Sequence, residues 1–231
     1  MIDEGSKEEI LSIIDNILEY IFSDETLMKL VAFKGGTALV KVYNINRFSK
    51  DIDLSYMGKG YGNVINNIRP FIIALGLNII NISQNSIEFK VGKFKCGIDV
   101  SYLRDVIRND LDFIEIKDKK HRYFVRVLGL DEIMAEKIRA IMERREAKDL
   151  WDVYKILEKG TKCSLDQIKF KCEHSSPGFL FDCNNFINTI NSWTEHRYIS
   201  QLKDYVDDKE ITKLIKVKRK IINFMESICN V

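Results

Sequence analysis

Apolar residues recur at helical spacing between Ser6 and Phe22, where Ile10, Ile13, Ile14, Ile17, Leu18 and Ile21 follow a serine and several acids. That pattern predicts an amphipathic helix with a capped start. Met28 to Phe33 is a short apolar run, read as a strand, that stops at Gly35-Gly36; Thr37 to Tyr43 then reads as helix. In Asp51 to Tyr56 the apolar Ile52 and Leu54 alternate with acids, the period of two that marks a strand. The loop GKGYG follows, then a helix over Asn63 to Leu75 and strands near 77–82, 86–91 and 96–102. The charged interval from Arg104 to Lys120 reads as a connection, and Tyr123 to Leu128 as one more strand.

Beyond Gly129 the texture changes. Asp131 to Arg144, Ala147 to Glu158, Leu165 to Cys172, Phe179 to Ile190 and Lys209 to Ile228 all favour helix. No internal repeat and no low-complexity segment interrupts them. The expected architecture is an α+β domain with a mixed sheet over residues 1–120, followed by an all-α domain over 121–231.

Composition narrows the class without fixing a partner. The chain has 231 residues, 45% hydrophobic and 30% charged, an ordinary globular make-up. Thirty-six Lys+Arg against 34 Asp+Glu leave a formal charge of +2, too balanced to argue for nucleic acid by itself. No apolar run approaches the roughly 20 residues of a membrane span, and MIDEGSKEEI is acidic rather than signal-like. Five cysteines without a CxxC pair suit reduced thiols in a cytoplasmic protein better than a disulfide framework.

The chemistry concentrates around FKGGTALVKVYNINRFSKDIDLSY, residues 33–56. If Ile52 and Leu54 face the core, Asp51 and Asp53 share the other face, roughly 7 Å apart at the backbone. Like charges that close need a positive partner. A hard divalent cation, Mg²⁺ or Mn²⁺, answers that need, because it takes a few carboxylates together with substrate phosphates. A third acid is expected on a neighbouring strand: Asp99 in FKCGIDVSYL repeats the pattern between Ile98 and Val100, with Glu88 as second choice. Gly35 and Gly36 allow a sharp turn and close backbone approach. The helix near Thr37 offers unpaired N–H groups to a phosphate, and Thr37 a hydroxyl. Downstream, at 100° per residue, Lys137, Arg144 and Lys148 fall on one side of a helix if it runs unbroken.

GGTAL followed by RFSKDIDL resembles the polymerase-β-like nucleotidyltransferases, and among them the AbiEii/AbiGii toxin family. The resemblance continues through Lys137, Ala140, Arg144, Lys148, Asp149 and Asp152 in EKIRAIMERREAKDLWDVYKI. Members of that family usually carry Arg-Asp where this chain has Lys148-Asp149, which keeps the charge but gives up the guanidinium fork. The resemblance implies a nucleotidyltransferase fold and transfer of a nucleoside monophosphate from an NTP to an acceptor hydroxyl, RNA or tRNA among the candidates. It also implies a toxin role in a type IV toxin–antitoxin or abortive-infection system, with a cognate antitoxin as partner. By the same resemblance Lys137 contacts phosphate, and Asp149 or Asp152 orients that lysine or accepts a proton. The expected catalytic set is therefore Asp51, Asp53, Asp99, Lys137 and Asp152. Gly35, Gly36, Thr37, Lys137, Arg144 and Lys148 are expected to hold the nucleotide. The rival expectation is a module of the same fold that binds nucleotide or RNA without turnover.

Other features carry less. GKGYG is neither GxGxxG nor a P-loop. Cys163, Cys172, His174 and Cys183 match no common zinc spacing, and His121 and His196 lack a nucleophile partner. Arg47 and Ser49 read as residues that hold the loop in shape. Lys213, Lys216, Lys218, Arg219 and Lys220 form a basic run that reads first as a solvated helix face. As an RNA contact it would recruit Trp193 and Tyr198 as stacking groups.

Overall fold

The computed structural model describes residues 3–59, 62–102, 106–107, 111–118, 120–175 and 178–229. It divides into two compact units. One takes the chain up to Asn44 together with Phe48–Gly129; the other takes Ile45–Arg47 and the chain from Leu130 onward.

The first unit is built on a seven-stranded mixed sheet. Helix α1 (Glu4–Ser23) starts at Asp3, whose carboxylate accepts from Ser6 N–H. Of the apolar residues expected at helical spacing, Ile10, Ile14, Ile17, Leu18 and Ile21 are buried and Ile13 is half-buried. Asp24 then caps a second helix, α2 (Glu25–Leu30), by accepting from Thr26 and Leu27 N–H. Met28 to Leu30 are therefore helical rather than extended, and β1 begins only at Val31 (Val31–Lys34). Helix α3 (Gly35–Lys41) starts at the glycines themselves, two residues earlier than expected.

Strands β2 (Ile52–Tyr56), β3 (Asn78–Ile82), β4 (Ser86–Val91), β5 (Phe94–Ser101), β6 (Asp112–Lys117) and β7 (Arg122–Val127) complete the sheet, with α4 (Val64–Ala74) between β2 and β3. Their order is β3-β4-β5-β2-β1-β7-β6. β2 pairs antiparallel to β1 and parallel to β5, so the two acid-bearing strands are neighbours at the centre. β6 corrects the reading of 104–120 as a plain connection. It lies at the sheet edge, paired only with β7, and an edge strand tolerates polar residues that hide its period. Within that interval, residues 104–105, 108–110 and 119 lie outside the described residues.

The second unit is helical: α5 (Leu130–Arg144), α6 (Ala147–Glu158), α7 (Leu165–Ser175), α8 (Cys183–Asn191), α9 (Glu195–Leu202) and α10 (Leu214–Cys229). Trp151, Tyr154, Phe186 and Tyr198 are its largest buried side chains besides Lys171, whose ammonium lies 3.3 Å from Glu132 and 3.2 Å from Glu136. Helix α9 occupies residues for which the sequence suggested no element. A disulfide joins Cys183 to Cys229, which corrects the expectation of reduced thiols throughout; Cys96, Cys163 and Cys172 are free and buried. Among the described residues no helix is long and apolar enough to cross a membrane.

Candidate active site

Alternation in β2 buries Ile52 and Leu54 completely and leaves Asp51 and Asp53 half-buried. The parallel register with β5 sets Asp53 directly beside Asp99, so both carboxylates share one face of the sheet. Asp51 is fixed from the same strand: its Oδ1 accepts the N–H of Gly97 at 3.0 Å. Crowding around the Asp99 carboxyl, then the charges of Asp53, Asp51 and Glu88, push its pKa up to about 6. Asp99 keeps open surface, and all of these contributions raise its pKa. Glu88, the second choice for the third acid, is instead spent on Lys95 at 2.6 Å.

The glycine beside these acids is a steric necessity. A Cβ on Gly35 would fall 2.0 Å from Asp53 Oδ2 and 2.7 Å from Asp53 Cβ, and its φ of +73° suits no L side chain well. Thr37 does something other than expected. It is fully buried, its hydroxyl donates to the backbone carbonyl of Asp51 and lies 2.9 Å from the Ser49 hydroxyl. Thr37 thus holds the entry to the acid strand instead of presenting an O–H to a ligand.

A second constellation lies wholly within the helical unit. Arg47 grips Asp152 with two bonds, Nε to Oδ1 at 2.6 Å and Nη2 to Oδ2 at 3.0 Å. Lys137 Nζ stands 2.8 Å from Asp152 and 3.1 Å from Asp149. Arg144 completes the chain with a fork onto Asp149, at 2.8 and 2.7 Å. Burial alone would raise the Asp149 pKa, but Lys137 and Arg144 hold it down at about 2. Burial would likewise lower Lys137, and Asp152 and Asp149 overcome it and raise it. Only Arg144 reaches well into solvent, with 46% of its side chain exposed against 8% for Lys137.

The chain matches the family model described as "Nucleotidyl transferase AbiEii toxin, Type IV TA system" over residues 16–213. It belongs to the AbiEii nucleotidyltransferase toxin family. The AbiEii assignment makes it an NTP-using nucleotidyltransferase toxin and implies an antitoxin partner. No curated protein matches it. In fold it is similar to MenT4, a nucleotidyltransferase toxin from Mycobacterium tuberculosis, with TM-score 0.71, 12% identity, and coverage of 100% of this chain and 90% of that one. It is also similar to JHP933 from Helicobacter pylori, with TM-score 0.58, 16% identity, and coverage of 100% and 94%. At such identities the likeness speaks for the fold alone, and it agrees with the expected nucleotidyltransferase architecture followed by helices.

Three expectations change in this AbiEii chain. Lys137, Arg144 and Lys148 do not share one helix face, because the chain breaks at Arg145 (φ 51°) between α5 and α6. Lys148 turns away from the Asp149 cluster, pairing with Glu146 at 2.9 Å and lying 5.5 Å from the centre of the Tyr205 ring. The aspartates, expected to form a metal centre, share a face but are not a closed ligand set: among the described residues no three His, Cys, Asp or Glu stand close enough to hold a metal ion. Trp193 and Tyr198, at 3% and 0% exposure, are core residues and present no face for stacking on RNA.

Proposed function

We propose that this protein moves a nucleoside monophosphate from an NTP to an acceptor hydroxyl on RNA, tRNA first among the candidates, as the toxin of a type IV toxin–antitoxin pair in the cytoplasm. The observation that carries the reading is the set of carboxylates on one face of β2 and β5, with Asp99 driven up to about 6 by its neighbours. Hard carboxylate oxygens crowded by like charge fit a divalent cation such as Mg²⁺ or Mn²⁺. Asp53 and Asp99 would hold it with Asp51 beside them, and phosphate oxygens of the substrate would complete the ligand set. When bound, such a cation neutralises phosphate charge and makes the acceptor hydroxyl more acidic.

In this reaction the acceptor oxygen forms a bond to the α-phosphorus, and the bond from that phosphorus to the β-bridging oxygen breaks to release pyrophosphate. The hydroxyl proton needs a base close to the acceptor oxygen, and the solvent-open Asp99 carboxylate on the acid face is assigned to it. Gly35 keeps the backbone clear of Asp53, and Thr37 and Ser49 hold the strand entry. Arg144, the solvent-reaching member of the helical cluster, is assigned to triphosphate, with Lys137 and Asp149 setting its position. Phosphoryl transfer asks for such positioning and charge placement more than for covalent chemistry.

The test is incubation of the full chain with each α-labelled NTP, Mg²⁺ and total tRNA. Label transfer that disappears with EDTA and in Asp53→Asn supports the reading. Tight RNA binding without transfer, unaltered by that substitution, would instead establish the binding module.

A further inference from the structure

The sheet face that carries the acids continues past them. Alternation buries Ile87, Phe89 and Val91 of β4 and Cys96, Ile98 and Val100 of β5, and α4 packs against β3 and β4. On the opposite face β5 presents Lys95, Gly97 and Asp99 in turn, and β4 sets Lys90, Glu88 and Ser86 beside them. This is the face of the acids: a Cβ on Gly97 would stand 3.7 Å from Asp51 Oδ1 and 3.8 Å from Asp99 Oδ2. Lys90, Lys95 and Asp99 are all exposed on it.

Its two ends carry opposite charge. The register sets Lys90 directly opposite Lys95, and like charges so placed destabilise a strand pair. Lys95 meets Glu88 at 2.6 Å, a pair with the lysine side chain 56% exposed, and an ammonium with three donors can take a second anion there. Lys90 makes no ion pair among the described residues. Lys50 donates to the Lys95 carbonyl at 2.7 Å, which ties the chain just before Asp51 to the same strand. Lys95 precedes Asp99 by four residues on β5, roughly 13 Å at the rise of a strand. Positive charge at that remove from the acids, on a surface open to solvent, complements a chain of phosphates running away from the reacting end.

We propose that the open face of β4 and β5 is where the RNA acceptor lies, its reacting hydroxyl at Asp53 and Asp99 and its upstream phosphates at Lys90 and Lys95. The proposal rests on the nucleotidyltransferase reading and stays within the sheet unit. The acceptor is held there by its backbone rather than its bases, so its binding depends on salt.

Equilibrium binding of total tRNA to the full chain over a salt series, without NTP, is the test. The variants are Lys90→Ala combined with Lys95→Ala, the matching pair of arginine substitutions, and Lys93→Ala. Lys93 belongs to the same hairpin turn but lies over the Phe94 ring at 5.3 Å, beside a residue of the other face. The alanine pair should weaken tRNA binding about tenfold and reduce the slope of log K against log salt by about 1.5, the share of two phosphate contacts. The arginine pair and Lys93→Ala should bind tRNA as the wild type does, and affinity for NTP with Mg²⁺ should be the same throughout. A tRNA affinity and slope untouched by the alanine pair, lowered equally by Lys93→Ala, or not restored by arginine overturns the acceptor surface and leaves the transfer reaction standing. Loss of NTP binding together with tRNA binding gives these lysines to the triphosphate and overturns it as well. A wild type that binds no tRNA overturns both the surface and RNA as the acceptor, while the reaction itself is judged by label transfer.

Discussion

The acid face of the sheet and the charge network of the helices use the same residue type to opposite ends. On the sheet, Asp99 stands among Asp53, Asp51 and Glu88, and its pKa is pushed up to about 6. In the helices, Asp149 is buried between Lys137 and Arg144 and is held at about 2. One aspartate is short of positive charge and the other is saturated with it. A group of like charges kept together at a cost in stability is poised for something that arrives later. A fully paired network has its partners already and resists change. The comparison separates a carboxylate crowded by like charge from one held by buried cations.

The widest gap between the regions should appear on deleting one carboxylate from each. Asp152→Ala leaves Arg47 and Lys137 buried without their shared partner; the Arg47 and Asp152 side chains are only 2% and 0% exposed. Stability should fall by about 3–5 kcal/mol, read by chemical denaturation. Asp53→Asn should shift the same curve by under about 1 kcal/mol while abolishing label transfer. Equal destabilisation by both would erase the distinction. Next in size is Gly35→Ala, which meets the Asp53 carboxylate at 2.0 Å and a φ of +73°. The two penalties together are on the order of 2–4 kcal/mol. Transfer should drop more than stability, because the displaced group is Asp53 itself. A Gly35→Ala variant with normal transfer would show that Asp53 need not keep its place.

How far these regions could be foreseen follows from the range of the forces involved. Ile52 and Leu54 alternating with acids announced β2, because a period of two is a local signal that core burial enforces. Asp99 could be chosen on the same grounds, and the register then brought it beside Asp53. The helices were read with a gap at 145–146, but the shared face of Lys137, Arg144 and Lys148 assumed one unbroken helix, and the positive φ at Arg145, which reflects tertiary packing rather than propensity, removes it. Lys148 was misplaced for that reason. Thr37 looked like a phosphate ligand because sequence cannot say which way a hydroxyl turns. The Cys183–Cys229 bridge spans 46 residues, a pairing that exists only once α8 and α10 meet.

A finer division comes from pH. The Asp99 carboxyl has a raised pKa in the folded chain, so the folded state binds the extra proton between about 4 and 6. Stability from this group is fully present below its ordinary value of 3.8 and is lost as pH rises through about 6. Asp99→Asn should therefore melt about 1–3 °C above the wild type at pH 7 in EDTA, with the gap closing near pH 4. Asp149 has the reverse sign: its contribution holds above 3.8 and fades only as pH falls through about 2. Adding Mg²⁺ at pH 7 should raise the wild-type melting temperature more than that of Asp99→Asn. A wild type indifferent to Mg²⁺ would count against a cation at the acid face.

The smallest effect tests whether the helical unit is as fully satisfied as its ion pairs suggest. Tyr198 is completely buried, and among the described residues its hydroxyl finds no hydrogen-bond partner. Burial, then the charge of Glu195, raises its pKa above the usual tyrosine value, so the group stays a neutral O–H. A buried hydroxyl with no partner has lost its hydration for nothing, at a cost of about 1–3 kcal/mol. Tyr198→Phe removes that cost at the price of a small void, so stability should rise by up to about 1 kcal/mol with nucleotide transfer unchanged. A loss of that size would mean the hydroxyl is hydrogen-bonded in solution, through water or a rearranged neighbour. Among the described residues the indole N–H groups of Trp151 and Trp193 would then remain as the buried aromatic donors of the helical unit without a partner.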